Sequence, residues 1–254
     1  MTTLVHQQAP PRSGSTVAAR TLWRRWIVAN AVGELVGLGL TGVVAAVAVA
    51  TYEPDRATLA AGLVVASGAL EGLVVGGAQW QVLRTWIAVP ARSWVIATML
   101  GAVAAWAVAV TPMQLLGAQD GGSEPSLPLQ LALAAGMGLV AGPVLAGPQA
   151  VVLRRHVRRA WVWVIANSVA WAVALPVTFV GPAVLPAGTS PAAYGAAFAV
   201  GALAAGAVAG AVHGVALVEL AGGRAAGLPG ASRASMLRKG AGRLLPSLGG
   251  SKEA

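Results

Sequence analysis

"GPQAVVLRRHVRRAWVWVIAN", residues 147–167, sets four arginines and a histidine within six residues, between two long apolar runs. A diluted copy, "GAQWQVLRTWIAVPARSWVIAT", occupies residues 77–98. A helix crossing a hydrocarbon core of ~30 Å needs about 20 apolar residues at ~1.5 Å each. Both phrases therefore read as short basic turns joining two membrane helices. Working outward from them, the apolar blocks are 26–50, 57–80, 94–116, 127–152, 161–185 and 192–220. The chain is 57% hydrophobic and only 10% charged, whereas ordinary soluble domains carry roughly a quarter charged residues. The blocks lack the alternation of a membrane barrel, and a helix satisfies its own backbone hydrogen bonds in lipid. The fold expected is all-α: an integral membrane bundle of six helices, with Pro112, Pro143, Pro148, Pro176 and Pro182 as sites of kinks or helix ends.

The net charge of +9 raises the possibility of a nucleic-acid partner, but its distribution points to the membrane instead. Of the seventeen basic residues, all but Arg56 fall before the first block, in the two basic turns, or after the last block. The opposite loops hold Arg56 with Glu53, Asp55, Asp120 and Glu124. By the positive-inside rule both termini are cytoplasmic. Residues 1–23 then form a cytoplasmic tail, 24–220 the membrane domain and 221–254 a basic cytoplasmic tail. No secretory signal pattern opens the chain, and without cysteine it forms no disulfide. Arg154, Arg155, Arg158 and Arg159 read first as a topology anchor facing anionic headgroups, and second as a dedicated lipid or partner site. Trp23, Trp26, Trp80, Trp86, Trp94, Trp161 and Trp163 fall at the same boundary, where an aromatic belt in the headgroup layer is expected. The tail "ASRASMLRKGAGRLLPSLGG" (231–250) either lies on the inner leaflet or is disordered.

Aligning Gln79 with Gln149 also aligns Val82, Leu83 and Arg84 with Val152, Leu153 and Arg154, and a related "WIVAN" starts at Trp26. The pattern predicts three two-helix repeats, about 24–84, 92–154 and 161–220, all in the same orientation. Each opens on a tryptophan and closes on Gln79, Gln149 or His213. Counting back 3, 7 and 11 residues from each closing position meets only Gly or Ala, as does counting forward from Trp26, Trp94 and Trp163. Such stripes let helix backbones approach closely where lipid removes the hydrophobic drive to associate. Asn30, Thr98 and Asn167 lie four residues into the odd helices, level with the closing residues, so a side-chain hydrogen bond is expected within each hairpin.

The motif Q-W-x-V-L-R followed by W-V-I-A resembles repeats in uncharacterised bacterial multi-pass membrane proteins. The resemblance covers most of residues 24–220 and is strongest in the first two hairpins; His213 and Val218 depart from the glutamine and arginine of the pattern. It implies a bacterial inner-membrane protein and brings no catalytic residue. Mitochondrial-type carriers share the count of six helices, but the acidic and basic signature after a proline in each odd helix is missing.

Two carboxylates, Glu34 and Glu71, fall deep inside the blocks, whereas Glu219 stands at the very end of the last. Glu34 follows Trp26 by eight residues and Glu71 precedes Gln79 by eight, so each lies ~12 Å inward from the basic boundary. Ala102, Trp171, Ala141 and Ala205 stand at the matching positions of the other repeats. A charged carboxylate in hydrocarbon costs several kcal/mol, so the pair is either a proton or cation site or a buried contact between the first two helices, with Asn30 as a ready partner for Glu34. The three histidines are isolated and no metal, phosphate-loop or nucleophile motif occurs, so neither catalysis nor a cofactor is expected. The sequence reads first as a structural or accessory subunit, associating with other membrane subunits or itself through small-residue faces and a basic face. The alternative is a small transporter or proton/cation-conducting protein using Glu34 and Glu71.

Overall fold

A computed structural model describes residues 13–53, 56–116 and 125–226. It consists of six helices: α1 (Ser13–Thr51), α2 (Ala57–Leu83), α3 (Ala91–Leu116), α4 (Leu127–Leu153), α5 (Trp161–Ala183) and α6 (Pro191–Ala226). All six are long and apolar enough to cross a membrane, and no strand occurs among the described residues. Arg12, Asp55, Asp120, Glu124 and the tail from 227 onward lie outside them.

Two helices extend beyond the apolar blocks: α1 begins at Ser13 rather than near Trp26, and α6 continues to Ala226. Neither α4 nor α5 is broken by its prolines, Pro143, Pro148, Pro176 and Pro182 all standing within a continuous helix. Membrane helices tolerate proline because neighbouring groups take up the freed carbonyl.

Each helix packs against its two neighbours in sequence, and α6 closes back on α1. The order α1–α2–α3–α4–α5–α6 is thus a closed ring, and among the described residues only neighbouring helices bring their backbones close together, so that contacts across the ring are made by side chains alone. On α1, the outward stripe Val28, Val32, Val36, Leu40, Val43 and Val47 is exposed. Trp26, Asn30, Glu34, Leu38 and Thr41 of the same helix are buried. The helix is therefore apolar toward lipid and polar toward the ring, which is why the sequence shows no conventional amphipathic pattern.

The small residues make the seams. A Cβ added to Gly72 would lie 2.5 Å from Met99 Cα, and one on Gly76 3.2 Å from Val95 Cα, so these positions hold α2 against α3. Gly138 and Gly142 hold α4 against Trp171 and Asn167 of α5, and Gly206 and Gly210 hold α6 against α1. The stripe glycines of α1 and α3 face the other way: Gly33 and Gly37 meet Val75 and Glu71 of α2, and Gly101 meets Leu145 of α4.

The two basic turns share one geometry. Thr85, Trp86 and Ile87 donate backbone N–H groups to the carbonyls of Val82, Leu83 and Leu83. Arg155, His156 and Val157 repeat the pattern on Val152, Leu153 and Leu153. The second turn is one residue shorter before its tryptophan, and it closes through Arg159, whose φ of 61° is the one left-handed non-glycine conformation among the described residues.

Candidate functional site

The interior of the ring is built in tiers, best followed down α1. At the end near the basic turns, Trp26, Trp94 and Trp163 point inward and are almost fully buried, together with Leu83, Leu153 and Leu217. Trp26 and Trp163 meet edge-on, centroids 5.8 Å apart with planes at 72°, and Trp94 lies 6.2 Å from Trp163. This corrects the aromatic belt expected from sequence. Trp161 is exposed and Trp23, Trp80 and Trp86 are partly so, but Trp26, Trp94 and Trp163 form an interior plug.

Their buried indole N–H groups need acceptors, and the next tier supplies them. Trp94 Nε1 donates to Gln79 Oε1 (3.2 Å), Trp163 Nε1 to Gln149 Oε1 (2.9 Å) and Trp26 Nε1 to His213 Nδ1 (2.8 Å). Each closing residue thus pairs with the tryptophan of the following odd helix, and His213 completes the circuit with the first. Because Nδ1 of His213 accepts, the ring proton resides on Nε2.

The bonds expected within hairpins form in two of them. Gln79 Nε2 donates to Asn30 Oδ1 (2.9 Å) and Gln149 Nε2 to Thr98 Oγ1 (3.0 Å), with a longer contact from Gln149 Nε2 to Gln79 Oε1 (3.4 Å). In the third hairpin the histidine is turned to Trp26, and Asn167 Nδ2 donates to the Trp163 carbonyl at 2.9 Å. Asn30 Nδ2 and Thr98 Oγ1 make the equivalent bonds to the carbonyls of Trp26 and Trp94.

Below this tier lie the carboxylates. Glu34 and Glu71 are both buried and line one cavity of about 10 Å³, which Asn30, Gln79, Trp171 and His213 also border. That volume is roughly the space of a single water. Glu71 Oε2 accepts from Trp106 Nε1 (2.8 Å) and from Thr41 Oγ1 (3.3 Å). Glu34 Oε2 is buried with no hydrogen-bond partner among the described residues. The partnership of Asn30 with Glu34 does not form, since both ends of the amide are committed to Gln79 and Trp26. Glycine makes the room: a Cβ on Gly37 would stand 2.9 Å from Glu71 Cγ, and one on Gly206 would stand 2.8 Å from Glu34 Cγ. Farther along the ring, Thr41, Ser67 and Thr178 are buried polar residues, and Thr178 Oγ1 has no partner among the described residues.

Arg154, Arg155, Arg158 and Arg159 are all exposed on their turn, apart from the cavity. Arg159 lies over the Trp161 ring at 5.8 Å, and Arg84 over Trp80 at 5.3 Å. Among the described residues no three His, Asp or Glu side chains group to hold a metal ion. Trp106 and Thr41 were not singled out from sequence. Thr41 follows Trp26 by fifteen residues, which returns to within ~60° of the same helix face, but Trp106 follows Trp94 by twelve and stands ~120° round from it, so its spacing gives no such signal. Compared with protein families, curated proteins and solved structures, the chain matches none.

Proposed function

We propose that this is a proton-handling membrane protein whose working site is the Glu34–Glu71 pair inside the ring. The observation that carries the reading is the unpartnered Glu34 Oε2 beside a one-water cavity that Glu71 also lines. An ionised carboxylate oxygen buried without a hydrogen-bond partner costs several kcal/mol, and protonation lowers that cost by removing the charge. In this reading Glu34 holds a proton on Oε2, while the donors Trp106 and Thr41 let Glu71 keep a negative charge. The cavity suits a proton or a single water better than a hydrated cation or a metabolite.

Such a site is reached from one side at a time. Between it and the basic turns stand the three tryptophans and three leucines. In the other direction the buried polar residues are Thr41, Ser67 and Thr178. We place the open side there, and, from the arginine distribution, outside the cytoplasm. The same distribution supports cytoplasmic termini and, with the resemblance of the hairpin motif, a bacterial inner membrane. Three hairpin repeats in one orientation are supported by the three tryptophan bonds to closing residues and the matching basic turns.

The accessory-subunit reading keeps one supporting observation, the exposed arginines at one end, which suit anionic lipid or an acidic partner. The small-residue stripes are used within the chain to seal the ring and leave little of themselves for a partner subunit. Carbodiimide labelling of native membranes, mapped by mass spectrometry across pH, separates the two. Expected is labelling of Glu34 that falls as pH rises and whose midpoint moves in Glu71→Gln. No labelling of either glutamate at any pH, with Glu34→Gln and Glu71→Gln lowering only thermal stability, would overturn the proton reading and leave the accessory one.

A further inference from the structure

The outer side of the same hairpin carries a second feature. Arg24 and Arg25 stand at the head of an open groove between α1 and α2, with Gln81 beside them and Val28, Val32 and Ala78 along the walls; its volume is about 500 Å³. The furrow exists because the seam beneath it is made of small residues. A Cβ on Gly33 would lie 3.7 Å from Ala78 Cβ, and one on Gly77 would meet nothing within 4 Å.

From Arg25 to Val32 the groove runs ~10 Å along the helix and merges with the exposed stripe that continues through Val36 and Leu40. Its chemistry is thus divided: two exposed guanidiniums and an exposed amide at one end, apolar walls along the rest, and no carboxylate in the lining. Guanidinium is the group best matched to phosphate oxygens, and a valine-lined furrow opening on the lipid side matches an acyl chain.

The other hairpins do not repeat it. The positions equivalent to Arg24, Arg25 and Gln81 are Arg92, Ser93 and Val151 in the second and Trp161, Val162 and Val215 in the third. Arg154 to Arg159 bring more charge, but on a turn beyond the end of α4. We infer that the α1–α2 groove is a binding site for one anionic phospholipid, its phosphate on Arg24, Arg25 and Gln81 and an acyl chain along Val28 and Val32. The inference does not depend on what the interior carboxylates do.

Native mass spectrometry of the full chain in mild detergent tests it, titrating phosphatidylglycerol against phosphatidylcholine with the same acyl chains. Expected is one retained phosphatidylglycerol, preferred by roughly an order of magnitude. That preference is lost in Arg24→Gln/Arg25→Gln and kept in Arg154→Gln/Arg155→Gln. Ala78→Leu, which fills the furrow and leaves every charge in place, should also release the lipid, so the test survives if the arginine variant fails to fold. Equal retention of both lipids, equal loss in the two arginine pairs, or full retention in Ala78→Leu would each overturn the inference.

Discussion

His213 is where the chain departs from its own pattern, and the departure is chemically conservative. Its Nδ1 accepts from Trp26 as Gln79 Oε1 accepts from Trp94, so an amide oxygen should serve equally well there. His213→Gln is expected to leave the midpoint of thermal unfolding nearly unchanged. His213→Leu, which strands a buried indole N–H, should cost ~1–3 kcal/mol, read from tryptophan fluorescence during melting. Gln79→Leu removes the partners of Asn30 and Trp94 together and should destabilise at least as much. These polar positions were legible in the sequence because they recur at fixed spacing. The fate of the tryptophans was not: an indole has an apolar body and one N–H, which suits a headgroup layer and a buried tier alike. Only the acceptor opposite decides, and that acceptor lies on another helix.

At the level of helices, glycine's role differs from seam to seam. A methyl at Gly72 would press on the Met99 backbone, and one at Gly142 would come 2.5 Å from the Asn167 carbonyl oxygen. Gly72→Ala and Gly142→Ala are therefore expected to destabilise by ~1–3 kcal/mol. Gly62→Ala and Gly136→Ala, where nothing lies within 4 Å, should be neutral or slightly stabilising, since alanine is the better helix former. Unfolding of the four variants in one detergent makes the comparison. The four-residue spacing of small residues could be read directly from the chain. Which neighbour each stripe faces could not, because the spacing fixes a face of one helix and leaves its partner open. The stripe glycines of α2, α4 and α6 face the next hairpin, whereas Gly33, Gly37 and Gly101 of the odd helices face their own.

At the scale of the molecule, the six membrane-length helices follow from the apolar blocks alone, while the closure of α6 onto α1 has no local signal. Contacts between ends so distant in sequence leave no periodicity. The orientation is open to a clean test because the chain contains no cysteine. Single cysteines at the exposed positions Thr85 and Arg155 should resist an impermeant maleimide in intact cells, and those at Glu53 and Ala187 should react. The reverse pattern would turn the protein over and place the open side of the carboxylate cavity in the cytoplasm.

Ring closure also sets an order of events during synthesis. Glu34 and Asn30 lie on the first of the six helices, yet the backbone that covers them at Gly206 belongs to the last. Asn30 finds Gln79 as soon as α2 is in place, but until α6 leaves the ribosome the Glu34 carboxyl must face lipid, translocon or a chaperone on that side. A nascent chain halted before residue 191 therefore carries an unshielded polar flank, a mark by which membrane quality control can tell an unfinished molecule from a finished one.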